Sequence, residues 1–457
     1  MCGVAEGFYG RPWSAAQRRQ LFTWMRSWGM TAYLFAPKDD LKHRALWRAA
    51  YTESEAGELQ ELIRECRSQA LQFIYAIAPG LDITHSNGKD TAALRRKISQ
   101  LAALGCDQFA ILFDDIQPVL AEADARVFGS VAAAQAFVAH DLLHFLREKV
   151  SGGDLFFCPT AYCRRLSGPP RHSDYLKQIG ELLDPSIQIF WTGPDIVSQT
   201  ISVESIRELR RVLRRKPVLW DNLHANDYDQ RRVYLGPYAG RQLELRAEIN
   251  GILSNPNCDL EANYVPLRTL AMYAQAEDAW NPRAAYQAAL KAWLLRWKSH
   301  KPDKVSLREL ELLGDCLYLP FHEGTRGQAF IEDFRLLLGG PAKDLAPVRR
   351  RFEATCSEII GLFDKMTALK NRDLLYALYR QVWELREEAA LLRKYSDWLQ
   401  TNAGANRRFI APEYRPGTFR GGLTAELQRL LPMDNAGRFR HRRRARPRLE
   451  RDGSPTL

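Results

Sequence analysis

The sequence has no apolar run long enough to cross a membrane. Charged residues interrupt every hydrophobic segment of the 457-residue chain well before the roughly 20 apolar positions that a spanning helix needs. The first six residues, MCGVAE, also lack the basic stretch and the long apolar core of a secretory signal. We therefore expect a cytoplasmic protein with no membrane-spanning segment.

Cysteine spacing gives no sign of a metal site or of a disulfide framework. There are eight cysteines, and the closest pair, Cys158 and Cys163, has four residues between its members. No CxxC motif or paired Cys/His spacing occurs, and no glycine-rich dinucleotide fingerprint follows the first apolar run. We expect reduced thiols, no metal and no cofactor.

The net charge of +11 is concentrated near the C-terminus. Residues 437–457 carry a net +6 from eight arginines against Glu450 and Asp452, so the remaining chain is only moderately basic. This tail has the charge to bind nucleic acid or an anionic surface. The sequence favours the alternative, a solvated and disordered terminus, and elsewhere we expect no nucleic-acid partner.

Short apolar runs alternate with helix-period segments over the first part of the chain. The runs are residues 3–9, 31–37, 72–79, 108–114, 155–160, 187–191, 217–222 and 251–254. Between them lie segments such as residues 54–69, an amphipathic pattern with Ser54 as its expected cap. Eight strands separated by helices predict an α/β fold, a closed (β/α)8 TIM barrel over residues 1–300. An open doubly wound sheet is the alternative.

From residue 301 the pattern indicates helices almost without strands. Apolar residues recur at intervals of three and four along two long segments, residues 348–366 and 375–392. They predict an all-α stalk domain over residues 301–436, whose helices pack against each other or against a partner subunit. Residues 437–457 are the basic tail.

Polar and aromatic residues follow the ends of the predicted strands. In a barrel of this type, the loops after the carboxyl ends of the strands form the active site. Carboxylates, amides, one lysine, tyrosines and tryptophans suit a neutral polyol, which is the character of a sugar site. Asp114 and Asp115, adjacent at one strand end, should ionise at different pH and supply the acid and the anion that glycoside hydrolysis needs.

Other interpretations of these residues stay open. Each aspartate alone would serve as a helix cap or turn former. A hard cation could be held by carboxylates at strand ends, although the paired histidines of many metal-dependent barrel hydrolases are missing. The candidate ligands are Asp39, Asp40, Asp114, Asp115 and Asp221. Cys158 has no activating histidine nearby in sequence, so a pocket-lining thiol is favoured over a nucleophile.

Several segments match one enzyme family. They are GVAEGFYGRPW at residues 3–13, APKDD at 36–40, LFDDI at 112–116 and WDNLHANDY at 220–228. YLPF at 318–321 and FRGGL at 419–423 extend the match beyond the barrel. Together they resemble the O-GlcNAcases, the retaining β-N-acetylglucosaminidases of glycoside hydrolase family 84, including the helical stalk of the animal enzymes. The resemblance covers residues 2 to about 436.

The resemblance implies substrate-assisted catalysis on O-GlcNAc-modified proteins or peptides. In this family the 2-acetamido oxygen of the substrate attacks the anomeric carbon and gives an oxazoline, so no enzyme carboxylate bonds to the sugar. Asp114 matches the residue that orients and polarises the acetamido N–H. Asp115 matches the acid that protonates the leaving serine or threonine oxygen and then acts as base toward water.

Further positions match substrate-binding residues of the family. Asn222 matches a contact to the acetamido region that also keeps Asp114 in place, and Tyr162 matches a hydroxyl donor near the acetamido oxygen. The other matches are a clamp on the 3-, 4- and 6-hydroxyls, formed by the Gly7 carbonyl, Lys38, Asp227 and Asn255, and pocket walls formed by Cys158, Trp220 and Tyr228.

The stalk resemblance implies a homodimer in which helices of one subunit reach over the partner's site. Trp383 is similar to a stalk aromatic that borders a peptide-binding cleft; a buried core position is the alternative.

Two hypotheses compete with O-GlcNAc removal from proteins: an exo-β-hexosaminidase acting on glycan or cell-wall fragments, and an inactive sugar-binding scaffold. The intact Asp114–Asp115 pair argues against the scaffold, because a binding protein needs no acid.

Overall fold

The computed structural model describes residues 1–150, 152–339, 345–401, 409–411, 422–434 and 438–439. The chain forms two compact units: Met1–Trp293 with Leu319–Phe321, and Leu294–Tyr318 with the described residues from His322 onward. The domain limits at residues 300 and 436 stay a prediction. Most of the basic tail and residues 419–421 of the FRGGL segment lie outside the described residues.

Eight parallel strands pair in chain order, and the last pairs with the first, so that the sheet closes into a barrel. The strands are β1 Cys2–Glu6, β2 Ala32–Phe35, β3 Gln72–Ile77, β4 Gln108–Leu112, β5 Asp154–Cys158, β6 Gln188–Trp191, β7 Val218–Asp221 and β8 Gly251–Ser254. Closure places Cys2 of β1 opposite Ile252 of β8. The predicted TIM barrel is confirmed. The open sheet is wrong, because these two strands pair instead of forming edges.

Alternate residues of each strand fill the barrel interior. The interior cluster includes Ala32 and Leu34 of β2, Ala110 and Leu112 of β4, Val218 and Trp220 of β7, and Leu253 of β8. Successive strand side chains face opposite sides of a sheet. The same alternation, carried past the strand ends, turns Lys38, Asp114 and Asn222 toward the mouth of the barrel.

Helices connect the strands of this unit. They are α1 Ala15–Ser27, α2 Glu53–Ser68, α3 Gly88–Ala103, α4 Glu122–Phe128, α5 Val131–Lys149, α6 Arg164–Ser167, α7 Asp174–Leu182, α8 Val203–Leu213, α9 Tyr264–Gln275 and α10 Pro282–Trp293. The expected Ser54 cap of α2 is wrong. Thr52 caps the helix instead, because Glu55 lies three residues later and its carboxylate accepts from the Thr52 N–H at 2.7 Å, which completes a capping box.

The described part of the second unit is helical. Its helices are α11 Leu307–Cys316, α12 Thr325–Leu338, α13 Ala346–Met366, α14 Arg372–Thr401 and α15 Gly422–Leu430. Phe352 and Ile359 of α13 share one buried core with Leu385 and Leu392 of α14, which explains both apolar periodicities. Among the described residues, no helix is long and apolar enough to cross a membrane.

Candidate active site

A cavity of about 640 Å³ opens where the barrel strands end. Eleven of the twelve expected site residues line it: Gly7, Lys38, Asp114, Asp115, Cys158, Tyr162, Trp220, Asn222, Asp227, Tyr228 and Asn255. The twelfth, Trp383, lies on α14 of the second unit, where its side chain is 42% exposed and outside the buried core. The fold therefore gathers residues from six different strand ends around one space.

Asp114 is a nearly buried carboxylate whose two oxygens differ in hydrogen bonding. Its side chain is 11% exposed, and the Lys38 ammonium donates to Oδ2. Oδ1 is buried and has no hydrogen-bond partner among the described residues. Burial alone would raise the pKa of Asp114, but the charge and hydrogen bond of Lys38, with the charge of Arg44, outweigh burial and lower it. Asp114 is thus an anion with an unused acceptor.

Asp115 occupies a different environment, exposed to the cavity. The Tyr9 hydroxyl donates to Oδ2 at 2.8 Å, and the Tyr162 hydroxyl donates to Oδ1 at 2.7 Å. The backbone of Asp115 has φ +52°, in the left-handed region that residues with a Cβ rarely adopt. In an extended strand two adjacent side chains would face opposite sides, so this turn lets both carboxylates line the same cavity.

An amide pair continues the wall beside the carboxylates. Asn255 Nδ2 donates to Asn222 Oδ1 at 3.0 Å, and Asn222 Nδ2 donates to the Ile196 carbonyl at 2.8 Å. Asn255 Oδ1 is buried without a hydrogen-bond partner in the described part of the chain. The pair is fixed internally and presents one acceptor that a hydroxyl or N–H of a ligand would satisfy.

Residue 7 must be glycine for the opposite wall to form. A Cβ on Gly7 would lie 2.1 Å from Cζ2 of Trp220, so any side chain would displace the indole ring. Lys38 Nζ lies 5.9 Å from the centre of the same ring. The Gly7 backbone and the Trp220 ring therefore form a close-packed surface against which a pyranose would fit.

Cys158, Asp227 and Tyr228 line the rest of the expected pocket. Burial, followed by the nearby Asp114 charge, raises the pKa of the Cys158 thiol well above its usual value, so a nucleophilic thiolate is disfavoured. Burial also raises the pKa of Asp227, whose Oδ2 accepts from the Tyr9 N–H at 2.9 Å. Tyr228 is half-exposed, and its hydroxyl hydrogen-bonds to that of Tyr234 at 2.8 Å.

The other aspartates at strand ends have local partners. Asp39 accepts from the Gly10 N–H at 2.7 Å, Asp40 accepts from the Tyr51 hydroxyl at 3.0 Å, and Asp221 pairs with Arg241 at 2.7 Å. Over the described ranges, no group of three or more His, Cys, Asp or Glu side chains is arranged to hold a metal ion. These carboxylates therefore act as acceptors that fix loops and strand ends.

Comparison with known proteins identifies the family of this chain. The model of the β-N-acetylglucosaminidase family matches residues 2–305. The chain belongs to this family. Rat and mouse proteins named protein O-GlcNAcase are each 30% identical to it, over alignments that cover 95% of this chain and 70% of the relative. A mutant O-GlcNAc hydrolase from Thermobaculum terrenum superposes with a TM-score of 0.79 and 27% identity, covering 88% of this chain and 85% of that chain. The family resemblance expected from the sequence is confirmed.

Two residues beside the carboxylates in this β-N-acetylglucosaminidase are missing from the sequence-based prediction. Tyr9 donates to Asp115, and Arg44 donates from Nη2 to the Asp115 carbonyl at 3.2 Å. Tyr9 could have been predicted from the sequence, because it lies two residues after Gly7 and side-chain alternation along the strand places both residues on the same side of the sheet. Arg44 lies within a loop, where no periodic signal exists. Arg165, Arg232 and Phe321, which also line the cavity, are missing from the prediction too.

Proposed function

We propose that this chain is a retaining β-N-acetylglucosaminidase that removes O-linked N-acetylglucosamine from serine and threonine of proteins through an oxazoline intermediate. The observation that carries the proposal is Asp114 Oδ1, a buried anionic oxygen without a partner among the described residues, in a cavity of sugar-accommodating size. An acetamido N–H is the donor that would satisfy it. Membership of the family and the O-GlcNAcase names of the relatives support the same assignment.

In the first step the acetamido oxygen attacks the anomeric carbon, and the bond to the serine or threonine oxygen breaks. Asp114 accepts a hydrogen bond from the acetamido N–H, which orients the acetamido group, and its negative charge balances the positive charge that develops on the oxazolinium. The tethered nucleophile needs no association entropy, which is the physical advantage of a substrate-assisted route. Lys38 keeps Asp114 ionised throughout.

Asp115 is assigned the proton transfers. Its exposure to the cavity lets it reach the leaving oxygen, and the hydroxyls of Tyr9 and Tyr162 hold the carboxylate from both sides. In its protonated form it donates a proton to the departing oxygen, and as the resulting carboxylate it then takes one from the water that opens the oxazoline with net retention. Tyr162 has a single hydroxyl hydrogen, so it must leave Asp115 if it is to donate to the acetamido oxygen as the family resemblance implies.

The remaining cavity residues are assigned to sugar recognition. The Gly7 carbonyl, Lys38, Asp227 and Asn255 would bind the ring hydroxyls, and Asn222 would contact the acetamido region. The walls would be Cys158, Trp220 and Tyr228. The unsatisfied Asn255 Oδ1 supports this assignment, because a bound hydroxyl would remove the cost of leaving it buried without a donor.

We further propose that the chain forms a homodimer through its helical stalk. Tyr376, Tyr379 and Trp383 recur at helical spacing on α14 and are 65%, 43% and 42% exposed, a large aromatic stripe for a free surface. A dimer would cover it and would place Trp383 at a peptide-binding cleft. Light scattering at micromolar concentration checks this: a mass near 52.3 kDa, that of one chain, would refute the dimer.

The deciding experiment measures N-acetylglucosamine release from an O-GlcNAc-serine peptide without added metal, wild type beside Asp115→Ala. We expect release by the wild type and a collapse in the variant. Cleavage of an aryl N-acetyl-β-glucosaminide but not of the peptide would favour an exo-β-hexosaminidase of glycans. Binding of N-acetylglucosamine without any hydrolysis would favour the sugar-binding scaffold.

A further inference from the structure

Arg44 is a buried cation that pairs with no carboxylate among the described residues. Its side chain belongs to the loop after β2, and the residue is only 7% exposed. In the described part of the chain no carboxylate oxygen lies within 4.0 Å of its guanidinium nitrogens, and Nη1 has no hydrogen-bond partner. Burying an unpaired guanidinium is costly. Such a residue is expected where its charge serves a function.

The contacts of Arg44 lead to Asp115. Nη2 donates to the backbone carbonyl of Asp115 at 3.2 Å, and the guanidinium carbon lies 5.9 Å from the ring centre of Tyr9. Asp115 is the residue with the left-handed φ of +52°, and Tyr9 donates to its carboxylate. Backbone in this region persists only where surrounding contacts stabilise it. Arg44 supplies one such contact to the Asp115 backbone. It also lies near Tyr9, whose hydroxyl holds the Asp115 carboxylate.

The loop that presents Arg44 is itself fixed. His43 Nδ1 hydrogen-bonds the Ala76 carbonyl at 2.7 Å, and Trp47 Nε1 donates to Asp82 at 2.7 Å. Lys97 Nζ donates to the carbonyls of Lys42 and Ala49, on either side of Arg44. A side chain held by a loop anchored at both ends can set the geometry of a neighbouring group.

We propose that Arg44 is a positioning residue of the reaction: it holds the backbone of Asp115 in the conformation that aims its carboxylate, and it supplies positive charge behind both carboxylates. The inference rests on the proposed function, since it takes Asp115 as the acid and base. The ionisable groups facing Asp114 and Asp115 are Lys38, His43, Arg44, Tyr9, Tyr162, Cys158 and Asp227, the last a carboxylate that interacts with Asp115 across the same cavity. Of these, Lys38 and Arg44 carry the positive charge, because burial and the Lys38 charge lower the pKa of His43 to about 3.

The test compares Arg44→Met with Arg48→Met on two substrates, an O-GlcNAc-serine peptide and an activated aryl N-acetyl-β-glucosaminide. Arg48 is a matched control, because it belongs to the same loop but pairs with Asp82 and Asp90. We expect Arg44→Met to lose about 10- to 100-fold more activity on the peptide than on the aryl substrate, since only the peptide needs a well-aimed acid. Arg48→Met should leave that ratio unchanged.

The pH profile separates positioning from loss of structure. Removing the Arg44 charge raises the pKa of Asp114, so the acidic limb of kcat/KM should move to higher pH in Arg44→Met. Arg44→Lys keeps the charge but not the fork that reaches Asp115, so it should restore the limb and keep part of the peptide defect. If Arg44→Met does not fold, Arg44→Lys decides alone by the same two readouts.

Equal losses on both substrates with an unmoved acidic limb in Arg44→Met would overturn the inference. A peptide-selective loss in Arg48→Met as large as that in Arg44→Met would overturn it too. A wild type that cleaves neither substrate would instead refute the proposed function. The two failures are therefore distinguishable.

Discussion

Two buried carboxylates at the ends of barrel strands, Asp114 after β4 and Asp221 of β7, differ in how completely they are satisfied. Asp221 accepts from Arg241 Nε and Nη2 at 2.8 and 2.7 Å, from the Tyr238 hydroxyl at 2.8 Å and from the Leu223 N–H at 3.1 Å. Asp114 accepts from Lys38 on Oδ2, and its Oδ1 has no partner among the described residues. Both oxygens of Asp221 already accept hydrogen bonds, so this carboxylate has no acceptor left for a ligand, whereas Asp114 still has Oδ1.

The alternation of side chains along the strands explains this difference between Asp114 and Asp221. Trp220 and Asn222 line the cavity, so Asp221 between them faces the other side of the sheet, toward Arg241 and Tyr238. Asp114 follows the interior residues Ala110 and Leu112 in the same alternation. Identical residue types at equivalent strand ends thus acquire a structural role or, as we propose for Asp114, a catalytic one according to the side they face.

The largest expected effect is on stability, from Asp221→Asn. The substitution leaves the Arg241 guanidinium buried beside a neutral amide, and breaking such a pair costs about 3–5 kcal/mol. Urea denaturation should show this loss as a lower midpoint with an unchanged slope. A free energy of unfolding within about 1 kcal/mol of the wild type would remove the distinction between the two sites.

The sequence alone predicts that the site residues lie at the carboxyl ends of the strands, but not which groups they hydrogen-bond to. The barrel follows from eight apolar runs that alternate with helix-period segments. The cavity residues follow from their places after the predicted strands, and their individual roles only from the family resemblance. Arg44 could not be found in this way, because the shape of its loop depends on tertiary contacts such as those of Lys97 with the carbonyls of Lys42 and Ala49. The left-handed turn at Asp115 is equally invisible to periodicity.

The same substitution at the other site, Asp114→Asn, should act mainly on turnover. It removes the charge that we propose balances the oxazolinium, and losing one such electrostatic contact lowers kcat by about 10²- to 10³-fold. Stability should fall by less than half of the Asp221→Asn loss, because the amide oxygen can still accept from Lys38 and the new NH2 group replaces Oδ1, which has no donor among the described residues. In Asp221→Asn the NH2 group would instead face a donor of Arg241 or Tyr238. The measurement is kcat on an aryl N-acetyl-β-glucosaminide, paired with urea denaturation. Near-wild-type turnover would refute the assigned role.

A smaller effect concerns the pH at which Asp114 gains its proton. Lys38 lowers the pKa of Asp114, so activity that needs the anion persists as pH falls below the usual aspartate range and is lost only at the lowered pKa. In Lys38→Met burial acts without this cation, and the acidic limb of kcat/KM should move up by at least about one pH unit. The position of the limb is read independently of the weaker sugar binding that the variant should also show. An unmoved limb would mean that another group controls it.

The smallest expected effect comes from Cys158, a buried group in the same cavity for which the described residues provide no paired cation. Burial and the Asp114 charge keep it as a neutral thiol, so iodoacetamide at pH 8 should leave the activity intact. Cys158→Ser should change kcat by less than about tenfold, because the side chain serves as a wall and not as a nucleophile. Cys163→Ser is the matched control, since Cys163 is also buried but does not line the cavity. If iodoacetamide rapidly inactivates the wild type but not Cys158→Ser, Cys158 is a reactive thiolate. In that case burial does not keep the Cys158 thiol neutral.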